Sequence, residues 1–294
     1  MKFAHMADLH LGAWSNHPVL REMPLKAFKR AVDVCIDERV DFVIIAGDFF
    51  DTSIPSIDVM RFAVSQLKRL HDKGIRVYVI TGSHDSSPSG KTIISVLEEA
   101  GLLVNIAKMT DDVKDMPAIS RELLPKGFDY YAAGHVHVRA VFDFHGSKIV
   151  YPGPLFPANF QELEKNEAGF FIIDGRKEKY VPLKTVEVFL VNINAEGKTP
   201  GQVEEELISA MTKDVGGKVV LIRVHGVLAE GKPSDIDFRA VMQEADEKGA
   251  LTVKRNLNKL KAKEFEEVAV EENLSIDEIE SKVIKEHLKK QKTF

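Results

Sequence analysis

The chain has 294 residues, 44% hydrophobic and 29% charged, with a formal net charge of −5. That composition is ordinary for a globular protein; no apolar run approaches the ~18 residues that span a bilayer, and MKFAHMADLH reaches Asp8 too early for a signal peptide. The single cysteine, Cys35, excludes an internal disulfide and any multi-cysteine zinc site and points to a reducing cytoplasm, while the negative net charge leaves phosphate binding to a local patch or to metal ions.

The first part of the chain alternates strands and helices. KFAHMA is a short strand, and residues 25–40 space Leu25, Phe28, Val32, Cys35 and Ile36 as one helical face. Cys35 reads there as a small buried residue. DFVIIAG is a continuously apolar strand of the kind buried on both faces. A second helix, 59–74, is closed by Gly74; IRVYVITG is a third strand, and KTIISVLEEAG a third helix. This order predicts an α/β layer architecture with right-handed crossovers.

After residue 127 short runs punctuated by Gly and Pro (FDYYAAG, RAVFDFHG, SKIVYPG, GFFIIDG) read as antiparallel β. The core is therefore expected to be a sheet or sandwich with helices outside. From about residue 186 a compact βαβαβ pattern forms a smaller α/β domain, with Pro200 at the start of its first helix. The expected division is 1–184, 185–258 and 259–294. In the last segment Ser275 and Glu278 form a capping box ahead of a stripe of Ile276, Ile279, Val283 and Leu288. That helix packs on its own domain or docks a partner.

Four sites place acidic or imidazole residues where a strand ends: Asp8 and His10; Gly47-Asp48 with Asp51; Gly82-Ser83-His84-Asp85; and Gly134-His135-Val136-His137. Ligands collect at the carboxyl ends of strands in α/β sheets, and each glycine is expected to permit the tight turn that aims the next side chain. Carboxylate with imidazole suits Mn²⁺, Fe or Zn²⁺. Two such ions ~3.5–4 Å apart clamp a phosphate ester and generate a nucleophilic hydroxide. Asp48 is the natural bridging carboxylate. His84, outside the ligand set, is suited to protonating a leaving oxygen.

D8-L-H10, G47-D48-F-F-D51, G82-S-H-D85 and G134-H-V-H137 resemble the motifs of the calcineurin-like metallophosphoesterases, a β-sandwich flanked by helices. MKFAHMADLHLG, VDFVIIAGDFFDTSIPS, YYAAGHVH and IVYPGPL are similar to the SbcD-type DNA double-strand-break repair nucleases. The resemblance covers residues 1–106 and about 125–175. It implies two Mn²⁺ ions: one held by Asp8, His10, Asp48 and His137, the other by Asp48, His135 and the residue at position 83. It implies His84 and Asp51 as the catalytic pair, His84 stabilising the transition state or donating a proton. Also implied are 3′–5′ exonuclease and single-strand endonuclease activity on DNA ends, a capping domain that orients DNA, a homodimer, and an SbcC-type coiled-coil ATPase docked on a C-terminal helix, where residues 274–291 fit.

The chain departs from that family at two places. Ser83 stands where the family has a ligating Asn, and a hydroxyl is a shorter, weaker ligand. No histidine lies between His84 and His135, so a further metal-ligating histidine motif is missing and the connection from Ile106 to Phe128 is short. Asp85, Asp111 and Asp112 are the carboxylates placed to compensate. For DNA contact the candidates are His17, Arg139 and Lys91. His17 and Arg139 read equally as solvated residues, and Lys91 as part of a helix start. The departures keep two other readings open: a small-molecule phosphodiesterase, and a catalytically weak scaffold that binds DNA ends.

Overall fold

The structure, a computed structural model, describes residues 1–87, 92–107 and 124–263. It divides into two compact units, Met1–Val188 and Phe189–Phe294.

In the first unit β1 (Lys2–Met6), β2 (Phe42–Ala46), β3 (Arg76–Ile80) and β4 (Val104–Ala107) run parallel, so their carboxyl ends share one edge. The helices α1 (Met23–Asp37), α2 (Ile57–His71) and α3 (Ile93–Glu99) connect them. Ser56 starts α2 by accepting the Val59 N–H on its side chain, and Thr92 does the same for α3. Further along lie β5 (Tyr130–Ala132), β6 (Ala140–Phe144), β7 (Ser147–Tyr151), α4 (Phe160–Lys165), β8 (Gly169–Asp174) and β9 (Lys177–Pro182). One sheet has the order β4-β3-β2-β1-β8-β9 and a second the order β5-β7-β6.

The two sheets face each other. Phe3, Phe171 and Ile173 of the larger sheet and Val150 of the smaller form one buried cluster, with Phe42, Ile44, Tyr130 and Tyr180 against it. Phe3 stacks on Phe42 with centroids 4.9 Å apart and takes the Tyr130 ring edge-on at 5.2 Å. Side chains alternate along a strand, so Ala4, Met6, Val43 and Ile45 are buried on the opposite face. Residues Ala27, Phe28, Ala31, Val32 and Cys35 of α1 are buried, as are Ala63, Leu67 and Leu70 of α2. Cys35 is fully buried, and burial pushes its thiol up to about 12, so it is a packing residue. This is the mixed α/β sandwich with outer helices that the sequence predicts.

Two details differ from expectation. The region after residue 127 is not purely antiparallel: β6 and β9 pair antiparallel with β7 and β8, but β5 pairs with β7 in parallel. In addition β4 and α4 are short elements that periodicity does not signal, having four and six residues.

The second unit contains β10 (Val188–Asn194, which starts at the division), α5 (Pro200–Ala210), β11 (Val219–Val227), α6 (Phe238–Glu247) and β12 (Thr252–Lys261). The strand order is β10-β11-β12, with β11 and β12 parallel. Thr199 and Gln202 form a capping box at α5, and Val203, Leu207, Val220, Ile222, Val241 and Ala245 are buried in one core. Among the described residues no helix is long and apolar enough to cross a membrane. The expected docking helix, with Ser275 and Glu278, lies outside the described residues, as do Lys91, Asp111 and Asp112.

Candidate metal centre

The four motif turns interlock at the strand ends. The Asp8 N–H donates to the Gly47 carbonyl at 3.3 Å, the His10 N–H to that of Asp48 at 3.0 Å, and the Gly47 N–H to that of Ile80 at 3.1 Å. Asp8, His10, Asp48, His135 and His137 all take left-handed backbone, with φ of 51°, 43°, 43°, 75° and 49°. Gly47 needs its freedom, at φ +89°. Gly82 and Gly134 are required for a different reason than turn formation. A Cβ at Gly82 would lie 2.2 Å from Asp48 Oδ1, and one at Gly134 would lie 1.9 Å from the Ala46 carbonyl oxygen.

These turns bring Asp8, His10, Asp48 and His137 together, with one ligand atom from each inside a 4.8 Å span. His10 Nε2 and His137 Nε2 are 3.1 Å apart, His10 Nε2 and Asp48 Oδ2 3.9 Å, and His137 Nε2 and Asp8 Oδ1 4.0 Å. Adjacent ligands around a cation bound at ~2.1 Å stand about 3–3.4 Å apart; the His10–His137 spacing falls in that range and the two carboxylate spacings are wider, while the donor set suits a divalent ion. Asp8, His10 and Asp48 are buried. Burial raises the Asp8 carboxyl above its ordinary range; the His137 imidazole and the His135 N–H oppose that rise, and Asp48 adds to it. Two buried carboxylates side by side call for a positive charge between them.

Each imidazole of the cluster has a carboxylate behind it. His137 Nδ1 donates to Glu162 Oε1 at 2.9 Å. Burial alone would lower the His137 imidazole, but the Glu162 hydrogen bond and the Asp8, Glu162 and Asp48 charges raise it overall. For Glu162 burial acts upward, and the His137 and Ala158 hydrogen bonds win, lowering its carboxyl. Behind His10, Asp51 Oδ1 lies 3.3 Å from Nδ1, within ion-pair distance but off hydrogen-bond geometry, so that buried nitrogen has no aligned partner among the described residues. His10, Asp51 and His84 form a second group of neighbouring donors. The His84 N–H donates to Asp48 Oδ1 at 2.8 Å, and its ring meets His10 edge-on at 4.7 Å. His84 Nδ1 lies 2.8 Å from the Asp51 carbonyl oxygen. A carbonyl only accepts, so Nδ1 carries the proton and Nε2 is the nitrogen left for chemistry.

A family model described as calcineurin-like phosphoesterase matches residues 1–122. The first 122 residues of the chain are thus similar to the calcineurin-like phosphoesterases. The chain is similar to the DNA double-strand break repair protein Mre11 of Archaeoglobus fulgidus, at 25% identity over 84% of this chain and 76% of that protein. Proteins of the same name from Sulfurisphaera tokodaii and Methanopyrus kandleri are 28% and 25% identical over 58% and 64% of this chain. The matches span only 58% and 57% of those two relatives. The Archaeoglobus alignment runs 336 positions while occupying 84% of this chain, so it includes many positions that this chain lacks.

The fold of the matched family implies a dinuclear metal site, and the candidate donors for its two positions differ in number. The first position has four strong donors. The second would draw on Asp48, Ser83 and His135. His135 donates its N–H to both Asp8 carboxylate oxygens, at 2.9 and 3.1 Å, while its side chain is exposed and joins no group of three donors among the described residues. Ser83 is half-buried in the turn between Gly82 and His84. Asp85 is not a compensating ligand. Its carboxylate accepts the N–H groups of Phe49, Phe50 and Gly82 at 3.0, 2.8 and 3.0 Å and so braces two motif turns against each other.

The proposed DNA contacts are placed as follows. His17 Nδ1 accepts the Leu20 N–H at 3.3 Å, capping a turn. The Arg139 guanidinium lies over the Tyr180 ring, 4.6 Å from its centroid. Sequence reasoning missed Glu162. Its one available signal was Asn159 three residues ahead of it, the N-cap and N3 pattern of a helix start.

Proposed function

We propose that this protein is a DNA nuclease that processes the ends of double-strand breaks, with Mn²⁺ at the Asp8, His10, Asp48 and His137 position. The observation that carries this reading is the convergence of those four side chains at the strand ends of a phosphoesterase domain, in a chain similar to proteins named for double-strand-break repair. A divalent cation there supplies Lewis-acid charge to a phosphoryl oxygen and acidity to a bound water. The chain's own residues do the rest. Asp8 and Asp48 offset the cation's charge, and His10 and His137 fix its place. His84 is held by its Nδ1–H on the Asp51 carbonyl, which turns Nε2 to the site; in the imidazolium form the Nε2 proton passes to the departing sugar oxygen and leaves the neutral Nδ1–H ring. Asp51 acts through His10 and His84.

The same reading includes a second, weaker ion at Asp48, Ser83 and His135. It gives the unit from residue 189 onward the task of orienting DNA. It also includes a homodimer, with an SbcC-type ATPase on residues 274–291, and DNA contacts at His17, Arg139 and Lys91. A scaffold that binds DNA ends with little cleavage is the second reading, favoured by Ser83 and by the absence of histidine between His84 and His135.

The test is incubation with Mn²⁺, a labelled blunt or recessed duplex, and a chromogenic phosphodiester. DNA degradation that His84→Ala abolishes supports the nuclease. Turnover of the small ester alone indicates a small-molecule phosphodiesterase, and DNA binding without either activity indicates the scaffold.

A further inference from the structure

We propose that Glu162 is the positioning residue of the centre, aiming His137 Nε2 at the cation; this rests on reading the four-residue cluster as a cation site. The side chains on either side of His137 give its ring no packing, since Val136 and Val138 are 54% and 51% exposed. Its backbone is left-handed, at φ 49°. What holds its ring is the 2.9 Å bond from Nδ1 to Glu162 Oε1. With its Nδ1–H given to that oxygen, Nε2 turns its lone pair to the cluster, 3.1 Å from His10 Nε2.

The carboxylate is itself immobilised. Glu162 Oε2 accepts the Ala158 N–H at 2.8 Å, the Asn159 side-chain amide also donates to Oε1, and Asn159 Oδ1 accepts the Glu162 N–H at 3.0 Å. The segment that carries it is fastened to the first motif turn at three points. Pro154 bridges Ala7, the Leu155 N–H donates to the Asp8 carbonyl at 3.4 Å, and the Trp14 indole N–H donates to the Pro157 carbonyl at 2.8 Å. A strap of residues 154–162 therefore runs from the Asp8 turn to the back of His137. It locks together two ligands that are 129 positions apart in sequence.

The experiment titrates Mn²⁺ into the metal-free full chain against a fluorescent chelator, for wild type, E162A, E162Q and D48A, and reads the metal-free unfolding temperature beside each. E162A is expected to weaken Mn²⁺ binding by about tenfold to a hundredfold. E162Q keeps an acceptor oxygen but not the charge, and should lose less. Wild-type affinity in both variants overturns the proposal. If E162A does not fold, E162Q decides alone, weakened affinity supporting the proposal and wild-type affinity overturning it. A wild-type protein that binds Mn²⁺ no better than D48A removes the cation-site reading itself, and the proposal with it.

Discussion

Left-handed backbone at a residue other than glycine costs roughly 1–2 kcal/mol, and Asp and His tolerate it better than most. Four cluster members adopt it, so the fold holds strain where the donors converge. The strain explains why these positions suit Asp and His even before a cation is considered. At position 83 the expected outcome is specific. Wild-type protein should hold about one Mn²⁺ tightly per chain by elemental analysis after desalting, given the donor preferences of such ions. Ser83→Asn should raise the bound amount, and an unchanged stoichiometry counts against Ser83 facing a second ion. His5 offers a separate test. It is fully buried, with Nδ1 2.7 Å from the Tyr130 hydroxyl, and burial lowers its imidazole to about 3, with a smaller opposing contribution from Ala133. The folded pKa is depressed, so the fold is unpenalised above the ordinary 6.5. Stability is lost as pH falls from there toward 3, because the unfolded chain takes up the proton first. By about pH 5 the loss amounts to ~2 kcal/mol. Urea unfolding in EDTA between neutral pH and that point measures it, and His5→Gln should flatten the slope.

Elements were legible where apolar periodicity ran long. The helices over Met23–Asp37 and Ile57–His71 and the strands Phe42–Ala46 and Arg76–Ile80 follow from their own residues, because each buries a repeating face. The six-residue helix Phe160–Lys165 was not legible, since one and a half turns show no period, and Glu162 was lost with it. The glycines were found but for an incomplete reason. Gly134 is needed because a neighbouring carbonyl occupies the space of a Cβ, a fact of packing between turns. Gly134→Ala should therefore destabilise by about 1–3 kcal/mol through overpacking, whereas Gly201→Ala, in open surroundings, should not; denaturant midpoints compare them. Asp85→Ala should cost at least about 2 kcal/mol, because three N–H groups lose their acceptor, and should weaken Mn²⁺ binding by freeing the Asp48 turn.

At the scale of the molecule, every residue assigned to the first ion position, with Glu162 behind it, lies in the unit Met1–Val188. A fragment of residues 1–188 should keep the Mn²⁺ affinity of the full chain and lose affinity for duplex ends, read by calorimetry and by fluorescence anisotropy. Loss of metal affinity in a folded fragment would place a ligand beyond residue 188. Equal DNA affinity would remove the orienting task from the second unit.

The sequence by itself determined the α/β order and the strand-end placement of Asp8, His10, Asp48 and His137. Those are properties of local periodicity and of residue type at a turn. Only the tertiary structure decided that Asp85 braces two turns, that His135 serves Asp8 through its backbone, and that Glu162 stands behind His137. Each of these joins residues 25 to 127 positions apart. Such pairings arise from how separate turns and sheets stack, which no local pattern encodes.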